Sequence, residues 1–292
     1  MPTSAPTGTL FVVATPIGNL DDLTQRAVAT LRAVDLVAAE DTRTAGLLLS
    51  RLGIERPLRS VFTGNEHRRL GELVDRLLAG ESIALITECG TPAISDPGAD
   101  LVAAAVAAGV RCVPIPGPSA VTAVLSVCGL DVRRFRFEGF LPRRGPDRAR
   151  RLEILRHDDA AIVIYESPHR VGETLADLAA ALGPRRAVLA REVTKLFEEL
   201  VRDTLPALAL RFRTDEPRGE VTLVVEGLPA EQAEAEAAGL TDEELDAMIR
   251  TRLADGATAR DLARELAEGT GRPRREVYAR ITRLMAELQA AE

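Results

Sequence analysis

Residues 10–20 read Leu10-Phe-Val-Val-Ala-Thr-Pro-Ile-Gly-Asn-Leu20, an apolar run that ends in a loop containing proline and glycine. Five consecutive apolar residues bounded by turn residues predict a short buried strand over Leu10–Ala14. Three more apolar runs follow at Leu36–Ala39, Ser82–Ile86 and Arg111–Ile115, and helical patterns separate them. Buried strands that alternate with helices predict an α/β domain.

The pattern begins again after Leu130 and predicts a second α/β domain. Its strands are predicted over Phe135–Phe140, Ala160–Tyr165, Ala187–Ala190, Glu198–Arg202 and Glu220–Glu226. The short segment Asp131–Arg134 joins the two domains, so we expect a cleft between them. Beyond an Ala/Glu-rich spacer at 229–239, further helical patterns predict a small C-terminal helical appendage. The predicted domains are residues 8–130, 135–228 and 240–292.

Length and composition narrow the class of protein. A chain of 292 residues with 46% hydrophobic content can bury two cores. No apolar run is long enough to span a bilayer, and the first residues lack the order of a signal peptide, so we expect a cytoplasmic chain without a membrane segment. Cys89, Cys112 and Cys128 lack the spacing of a disulfide framework or a zinc site, so no metal is predicted.

The charge of the chain is unevenly distributed. A net charge of −7 argues weakly against a polyanionic partner. However, nine arginines and three acidic residues lie from Arg133 to Arg156, and five arginines and one glutamate lie from Arg272 to Arg283. These two basic segments suit either contact with phosphate groups or a solvated surface, and the sequence leaves both interpretations open.

Three loops that follow predicted strands, at 15–19, 89–98 and 114–120, are rich in proline and glycine. In an open α/β sheet, small ligands bind at the carboxyl ends of the strands, where these loops lie. Proline fixes the backbone and glycine allows close approach, so the loops form rigid walls of backbone N–H and C=O groups. Such walls suit an uncharged or zwitterionic ligand, including a sulfonium compound. Neither GxGxxG nor GxxxxGKS/T follows Ala14, which argues against a dehydrogenase and a P-loop hydrolase.

Seven motifs occur in a fixed order between residues 10 and 227. They are Leu10–Leu20, Ala39-Glu-Asp-Thr-Arg43, Gly90-Thr-Pro-Ala-Ile-Ser-Asp-Pro-Gly98, Pro116-Gly-Pro-Ser-Ala120, Phe137-Glu-Gly-Phe-Leu-Pro142, Tyr165-Glu-Ser-Pro-His-Arg170 and Arg191-Glu-Val-Thr-Lys195. In these motifs the chain resembles the small-subunit ribosomal RNA 2'-O-methyltransferase I family of the tetrapyrrole methylase superfamily. The resemblance implies two α/β domains of tetrapyrrole methylase type, S-adenosylmethionine bound in the cleft and a homodimer. It also implies methylation of the ribose 2'-hydroxyl of a cytidine in 16S ribosomal RNA.

The resemblance further implies which residues contact the methyl donor. Contacts with the methyl donor are expected from Ile17, Thr91, Ala93, Ile94, Ser119, Ala120, Tyr165 and Glu220. For the phosphates of the RNA we predict the cationic side chains of Arg43, Arg143, Arg144, Arg170 and Lys195. Guanidinium groups hold phosphates through paired hydrogen bonds without reading the base sequence.

A ribose hydroxyl attacks readily only while its proton is being removed, so the site needs a base. Candidate bases in the motifs are Glu40, Asp41, Glu88, Asp96, Glu166 and His169. We favour Glu166 and Asp41, with His169 as a third choice, because Glu166 follows a predicted strand of the second domain and is expected to face the cleft. The alternatives are a salt bridge from Glu166 to Arg170, helix capping by Asp41 and an ordinary polar contact for His169.

Two stretches depart from the family pattern. The chain has Thr87-Glu88-Cys89 where the family usually has Ser-Asp-Ala. The acidic residue is therefore kept at Glu88, with a side chain one methylene longer than that of aspartate. Phe62–Glu66 keeps only Asn65 and Glu66 of a His-x-His-Asn-Glu stretch, so no role of those histidines carries over. Two other functions stay open. One is methylation of a small tetrapyrrole in the same cleft, and the other is a non-catalytic RNA-binding or assembly module built on the C-terminal helices.

Overall fold

The computed structural model describes residues 7–61, 66–214, 217–229, 241–254, 257–270 and 272–290. Two five-stranded sheets follow each other along this part of the chain, and three helices come after the second sheet. Most of the predicted spacer, at 230–239, and the family stretch at 62–65 lie outside the described residues. None of the helices in these ranges is long and apolar enough to cross a lipid bilayer.

The first sheet contains parallel strands in the order β3-β2-β4-β1-β5. The strands are β1 (Thr9–Val13), β2 (Leu36–Ala39), β3 (Leu58–Ser60), β4 (Ile83–Ile86) and β5 (Arg111–Ile115). The four predicted strands are confirmed. The sequence does not predict β3, because this strand has only three residues with the exposed Arg59 at its centre. Because the strands run parallel, their carboxyl ends meet at one edge of the sheet.

Helices cover both faces of this sheet, which explains why its central strands are apolar throughout. The helices are α1 (Gln25–Ala33), α2 (Thr42–Arg51), α3 (Glu66–Leu78) and α4 (Ala99–Ala107). Strand β2 contributes side chains to the core on each face of the sheet. Val37 packs with α1 and α2, while Leu36 and Ala38 pack with α3 and α4. Each fully buried leucine contributes about 2 kcal/mol to the stability of such a core. The packed sheet therefore holds the loops at its carboxyl edge in place.

The cap of helix α4 differs from the one that the sequence predicts. The apolar residues between Leu101 and Val106 lie on one stripe of a predicted helix, for which the sequence predicts Asp96 as the cap and Pro97 in the first turn. Instead the helix begins at Ala99, and Gly98 occupies the cap position without a side-chain hydrogen bond. Gly98 has a φ of 115°, and a Cβ there would lie 2.7 Å from Cδ2 of Leu85, so only glycine fits. The prediction that Asp96 caps the helix is therefore wrong.

The second sheet has the order β6-β7-β10-β8-β9, in which β6 and β7 pair in parallel and the other neighbours are antiparallel. Its strands are β6 (Phe135–Phe140), β7 (Ala161–Glu166), β8 (Arg186–Arg191), β9 (Glu199–Thr204) and β10 (Val221–Val225), which confirms all five predictions. One face is covered by α6 (Pro146–Arg156), α7 (Val171–Leu182) and α8 (Leu205–Arg211). Ile162 and Ile164 of β7 point into this core.

The opposite face of the second sheet is covered by α5 (Ala120–Val127), the helix that follows β5. Val121 of α5 lies in one buried cluster with Val163 of β7 and Val224 of β10. The predicted boundary at residue 130 assigns α5 to the first domain, but its apolar face packs on the sheet of the second. This helix therefore ties the two lobes together beside the cleft.

The C-terminal appendage contains three helices, α9 (Asp242–Ala254), α10 (Ala259–Thr270) and α11 (Arg274–Ala290), in agreement with the predicted helical patterns. They share a core of their own, which includes Leu245, Leu262 and Ile281. Three arginines of the basic segment pair with aspartates of α9: Arg272 with Asp242, and Arg280 and Arg283 with Asp246. Much of the positive charge of this segment is therefore neutralised within the appendage.

Candidate functional site

The three loops rich in proline and glycine form one continuous surface, which we call the loop wall (residues 15–19, 90–98 and 116–120). Thr15 and Gly90 exchange two backbone hydrogen bonds of 2.9 and 3.1 Å, which join the first loop to the second. The hydroxyl of Thr91 donates to the carbonyl of Pro118 at 3.3 Å, which joins the second loop to the third. A Cβ on Gly117 would lie 3.1 Å from Cβ of Ala14, so the third loop also packs closely on the first.

Backbone strain is concentrated in the central loop of this wall. Ala93 and Ser95 have φ values of 68° and 62°, in the left-handed region that side chains other than glycine rarely adopt. Each such residue costs on the order of 1 kcal/mol and persists where the surroundings hold it. A Cβ on Gly139 of β6 would lie 2.9 Å from Oγ of Ser95, so the second lobe approaches the strained loop directly.

Tyr165 faces the loop wall from the second lobe. Side chains alternate along β7, so Val163 and Tyr165 lie on the α5 side of the sheet. The ring of Tyr165 packs edge-on against Phe137 and Phe140, with centroid distances of 5.0 and 5.9 Å. Its hydroxyl forms a hydrogen bond with the backbone of Val121, and burial raises the pKa of Tyr165 to about 12. The tyrosine is therefore fixed as a neutral side chain beside the cleft.

Four carboxylates, Glu40, Glu88, Asp96 and Glu220, lie close enough in the cleft to influence one another. Burial, reinforced by the other three carboxylates, raises the pKa of Asp96 to about 6. Burial and the nearby Glu88 also raise the pKa of Glu40. The ammonium group of Lys195 lies 3.2 Å from Glu220 and is the cation nearest this cluster among the ion pairs of the described residues. The cleft is therefore acidic and suits a positively charged ligand.

Asp41 caps helix α2 and does not act as a free carboxylate. One of its oxygens accepts a hydrogen bond of 2.7 Å from the backbone N–H of Arg43. The other oxygen lies 2.7 Å from Nη2 of the same arginine, and these contacts lower the pKa of Asp41 to about 2. A carboxylate with so low a pKa is a weak base at neutral pH. The structure thus favours the capping alternative over the catalytic prediction for Asp41.

Glu166 is the last residue of β7 and points away from the cleft. Because neighbouring residues of a strand face opposite sides, Tyr165 faces the cleft and Glu166 faces α7. Its side chain is fully buried and accepts hydrogen bonds from the Thr174 hydroxyl at 2.6 Å and the Ser167 N–H at 2.8 Å. Arg170 pairs with it at 3.4 Å. The expectation that Glu166 faces the cleft is wrong, and the salt-bridge alternative is observed.

The buried network around Glu166 holds the loop that carries two predicted RNA contacts. Arg170 donates to the carbonyl of Leu141 at 3.3 Å, and the buried Arg148 donates to the carbonyl of Pro142 at 2.9 Å. Arg148 also donates to the Thr174 hydroxyl at 3.1 Å, which completes the link to Glu166. Because Arg170 is engaged inside this network, the structure does not favour its predicted contact with an RNA phosphate.

The remaining predicted residues occupy different parts of the site. Those assigned to the donor on the first lobe lie on the loop wall: Ile17, Thr91, Ala93, Ile94, Ser119 and Ala120. Arg143 and Arg144 are exposed on the loop that follows β6, and the side chain of Arg43 is 90% exposed. Lys195 is paired with Glu192 and Glu220, and His169 lies exposed in a single 3-10 turn at Pro168–Arg170.

The sequence did not predict the acidic cluster, nor the hydrogen bonds by which Arg148 and Thr174 reach Glu166. Glu40 directly follows the last residue of β2, and Glu88 is the second residue after the end of β4. Neighbouring parallel strands end at the same edge, so these two positions carry a signal that could have been used. No such signal exists for Arg148, whose basic segment looks solvated although its side chain is 7% exposed.

Comparison with known proteins places the chain in a family. Residues 9–209 match the family model described as Tetrapyrrole (Corrin/Porphyrin) Methylases. A relative from Xylella fastidiosa is 46% identical over 93% of this chain and 98% of its own length. One from Synechocystis is 44% identical over 97% of this chain and 99% of its own length. Both are named "Ribosomal RNA small subunit methyltransferase I".

Solved structures support the same fold at lower sequence identity. A diphthine synthase is 18% identical, covers 75% of this chain and 90% of its own length, and has a TM-score of 0.60. A cobalt precorrin-4 methyltransferase is 17% identical, covers 75% of this chain and 94% of its own length, and has a TM-score of 0.58. At these identities the likeness shows the fold alone.

The site fits the methyl donor of the family, S-adenosylmethionine. Close packing of Gly117 on Ala14 leaves a smooth backbone surface, as a ligand bound through backbone groups requires. The acidic residues Glu88, Asp96 and Glu220 suit its cationic sulfur, and no arginine lies within the loop wall. With a match over residues 9–209 and relatives more than 40% identical over nearly the whole chain, the protein belongs to the tetrapyrrole methylase family and uses S-adenosylmethionine as its cofactor.

Proposed function

We propose that the chain methylates the ribose 2'-hydroxyl of a cytidine in the 16S RNA of the small ribosomal subunit. The observation that carries this proposal is the similarity to proteins named "Ribosomal RNA small subunit methyltransferase I", which extends over 98–99% of two of these relatives. The exposed Arg143 and Arg144 support it, because they offer guanidinium groups on the loop after β6, the strand whose Gly139 approaches Ser95 of the loop wall. Arg43 is proposed as a further phosphate contact.

The donor is proposed to lie between the loop wall and the second lobe. Its contacts in this proposal are Ile17, Thr91, Ala93, Ile94, Ser119, Ala120, Tyr165 and Glu220. S-adenosylmethionine, when bound, supplies an electrophilic methyl carbon on a cationic sulfur. Rigid loops and a fixed Tyr165 hold the reacting groups in line, which lowers the entropy cost of the reaction.

Asp96 is proposed as the base in place of Glu166, Asp41 and His169. Its carboxylate is half-buried in the cleft beside Tyr165, and no helix cap or ion pair among the described residues uses it. A pKa of about 6 keeps Asp96 ionised at neutral pH and makes it a stronger base than an ordinary carboxylate. Asp96 would accept the proton of the ribose hydroxyl, whose oxygen would receive the methyl group that bound S-adenosylmethionine supplies.

A homodimer and a cytoplasmic location are part of the same proposal. Leu196 and Phe197 are 89% and 69% exposed in the segment between β8 and β9, and two adjacent exposed apolar side chains are typical of a protein contact. In this proposal Leu196 and Phe197 contact a second copy of the chain. Sedimentation of the purified chain would measure whether it forms a dimer.

A methyl-transfer assay tests the proposed function. Purified chain and labelled S-adenosylmethionine are mixed with small subunits that lack the modification, and in parallel with a uroporphyrinogen-type tetrapyrrole. The proposal expects label in the RNA, in a dinucleotide that resists alkaline hydrolysis because its ribose oxygen is methylated. Label in the tetrapyrrole and none in RNA would favour the small-molecule alternative. Absence of transfer to either substrate, with RNA still bound, would favour the non-catalytic module.

A further inference from the structure

A cavity of about 300 Å³ lies next to the loop wall on the side of helix α2. Its apolar lining includes Ile17, Leu20 and Leu48, and its polar lining includes Thr44 and Glu88. The second lobe closes it with Lys195 and Glu220. Of the residues proposed to contact the donor, only Ile17 and Glu220 also line this cavity, so it is a neighbouring space rather than the donor site itself.

The polar groups of the cavity favour an uncharged ligand that donates hydrogen bonds. Within the described residues the Glu88 carboxylate forms neither a hydrogen bond nor an ion pair, so its acceptor oxygens are available. Lys195 is neutralised by Glu192 at 3.0 Å and Glu220 at 3.2 Å. Arg51, the exposed last residue of α2, also lines the cavity, so its two cationic and two carboxylate side chains balance. The cavity therefore suits an uncharged ligand, and an amino group would find an acceptor in Glu88.

A nucleobase has the shape and chemistry that these walls require. Its flat face suits apolar side chains such as Ile17 and Leu48, and its edge carries the hydrogen-bonding groups. Cytosine presents an exocyclic amine that donates a hydrogen bond, which a carboxylate can accept, while uracil presents a carbonyl oxygen at the same position. Enzymes that act on a nucleotide commonly hold its base in a pocket outside the stack.

We propose that this cavity receives the unstacked base of the target nucleotide, and that Glu88 selects cytosine over uracil by accepting a hydrogen bond from the exocyclic amine. The inference rests on the proposed function, since it assumes that RNA is the methyl acceptor. Leu47 lines the same cavity and is 66% exposed, so it forms an apolar rim next to which the base enters. The cavity then sets which nucleotide is methylated, while Asp96 acts on its ribose.

Single-turnover methyl transfer to two RNA substrates tests this inference. The substrates are small subunits that carry either the natural cytidine or a uridine at the mapped position. Glu88→Gln keeps the size of the side chain but replaces one acceptor oxygen with a donor. We expect it to reduce the preference for cytidine over uridine by roughly ten- to one hundred-fold, the range of one specific base contact. Glu55→Gln, which changes an exposed carboxylate of the same lobe outside the cavity, is the matched control and should leave the preference unchanged.

A second variant, Thr44→Phe, fills the cavity from an exposed position of α2. It should abolish methylation of RNA while the affinity for S-adenosylmethionine, measured by calorimetry, stays at the wild-type value. Full RNA methylation by Thr44→Phe, or an unchanged base preference in Glu88→Gln, would overturn the inference and leave the proposed function standing. Failure of the wild-type chain to methylate either RNA would instead overturn the proposed function, and the inference with it.

Discussion

Asp96→Asn should stabilise the fold and inactivate the enzyme. The cleft raises the pKa of Asp96 from 3.8 to about 6, because burial and three carboxylates disfavour its charged form. At about 1.4 kcal/mol for each pKa unit this corresponds to about 3 kcal/mol. Asp96 is only half-buried, so solvent screening reduces the cost of its charge to about 1–2 kcal/mol. Asparagine removes the charge and recovers this stability.

The sign of the pH dependence follows from the same shift. A carboxyl with a raised pKa in the folded state binds its proton more tightly in that state than in the unfolded chain. Stability therefore falls as the pH rises from about 4 to about 6, and the full cost is present above pH 6. Asp96→Asn should exceed the wild type in free energy of unfolding at pH 7 and match it below pH 4.

Urea denaturation at several pH values and a turnover assay measure both effects. A lost general base lowers the rate by about 10²–10⁴-fold, and the wild-type rate should rise with pH through about 6. Asp100→Asn changes an exposed aspartate near the start of α4 and is the control for both measurements. Destabilisation by Asp96→Asn at pH 7, or a wild-type rate with an unchanged pH profile in this variant, would refute the reasoning.

Three further predictions concern RNA binding and the appendage. Replacing Arg143 and Arg144 with alanine should weaken RNA binding and reduce the slope of log affinity against log salt by about 1–2, with donor affinity unchanged; equal loss of donor affinity would contradict the assignment. Glu166→Gln should lower the free energy of unfolding in urea by about 1–3 kcal/mol, because it disturbs a buried charged hydrogen-bond network. It should also raise KM for RNA by loosening the loop that carries Arg143, whereas an unchanged KM would rule out this positioning role. A chain that ends at residue 229 should keep its affinity for S-adenosylmethionine in calorimetry, and loss of donor binding would show that α9–α11 complete the site.

The strands could be predicted from the sequence because their apolar runs have few alternative interpretations. Ile83–Ile86 is buried at every position, as the central strand of a parallel sheet requires. The direction in which Glu166 points could not be predicted in the same way. Strand β7 is apolar on both faces up to Tyr165, so its pattern does not show which face meets α5 and the cleft and which meets α7.

The clustering of the proposed donor contacts could be predicted in part, and the choice of Asp96 as the proposed base could not. The three loops share proline and glycine, and their place after parallel strands brings them together. The sequence leaves Asp96 as one of several candidates because its raised pKa depends on burial and on Glu40, Glu88 and Glu220, which come from distant segments. Local capping rules also favour Asp96 as a helix cap, and the close contact of Gly98 with Leu85 overrides them.

A structure of the chain with bound S-adenosylmethionine would decide whether the cleft is the donor site. We expect the donor between the loop wall and Tyr165, with its methyl carbon directed towards Asp96 and the cavity beside Glu88. A donor bound elsewhere on the chain, or no bound donor between the two lobes at saturating concentration, would contradict it.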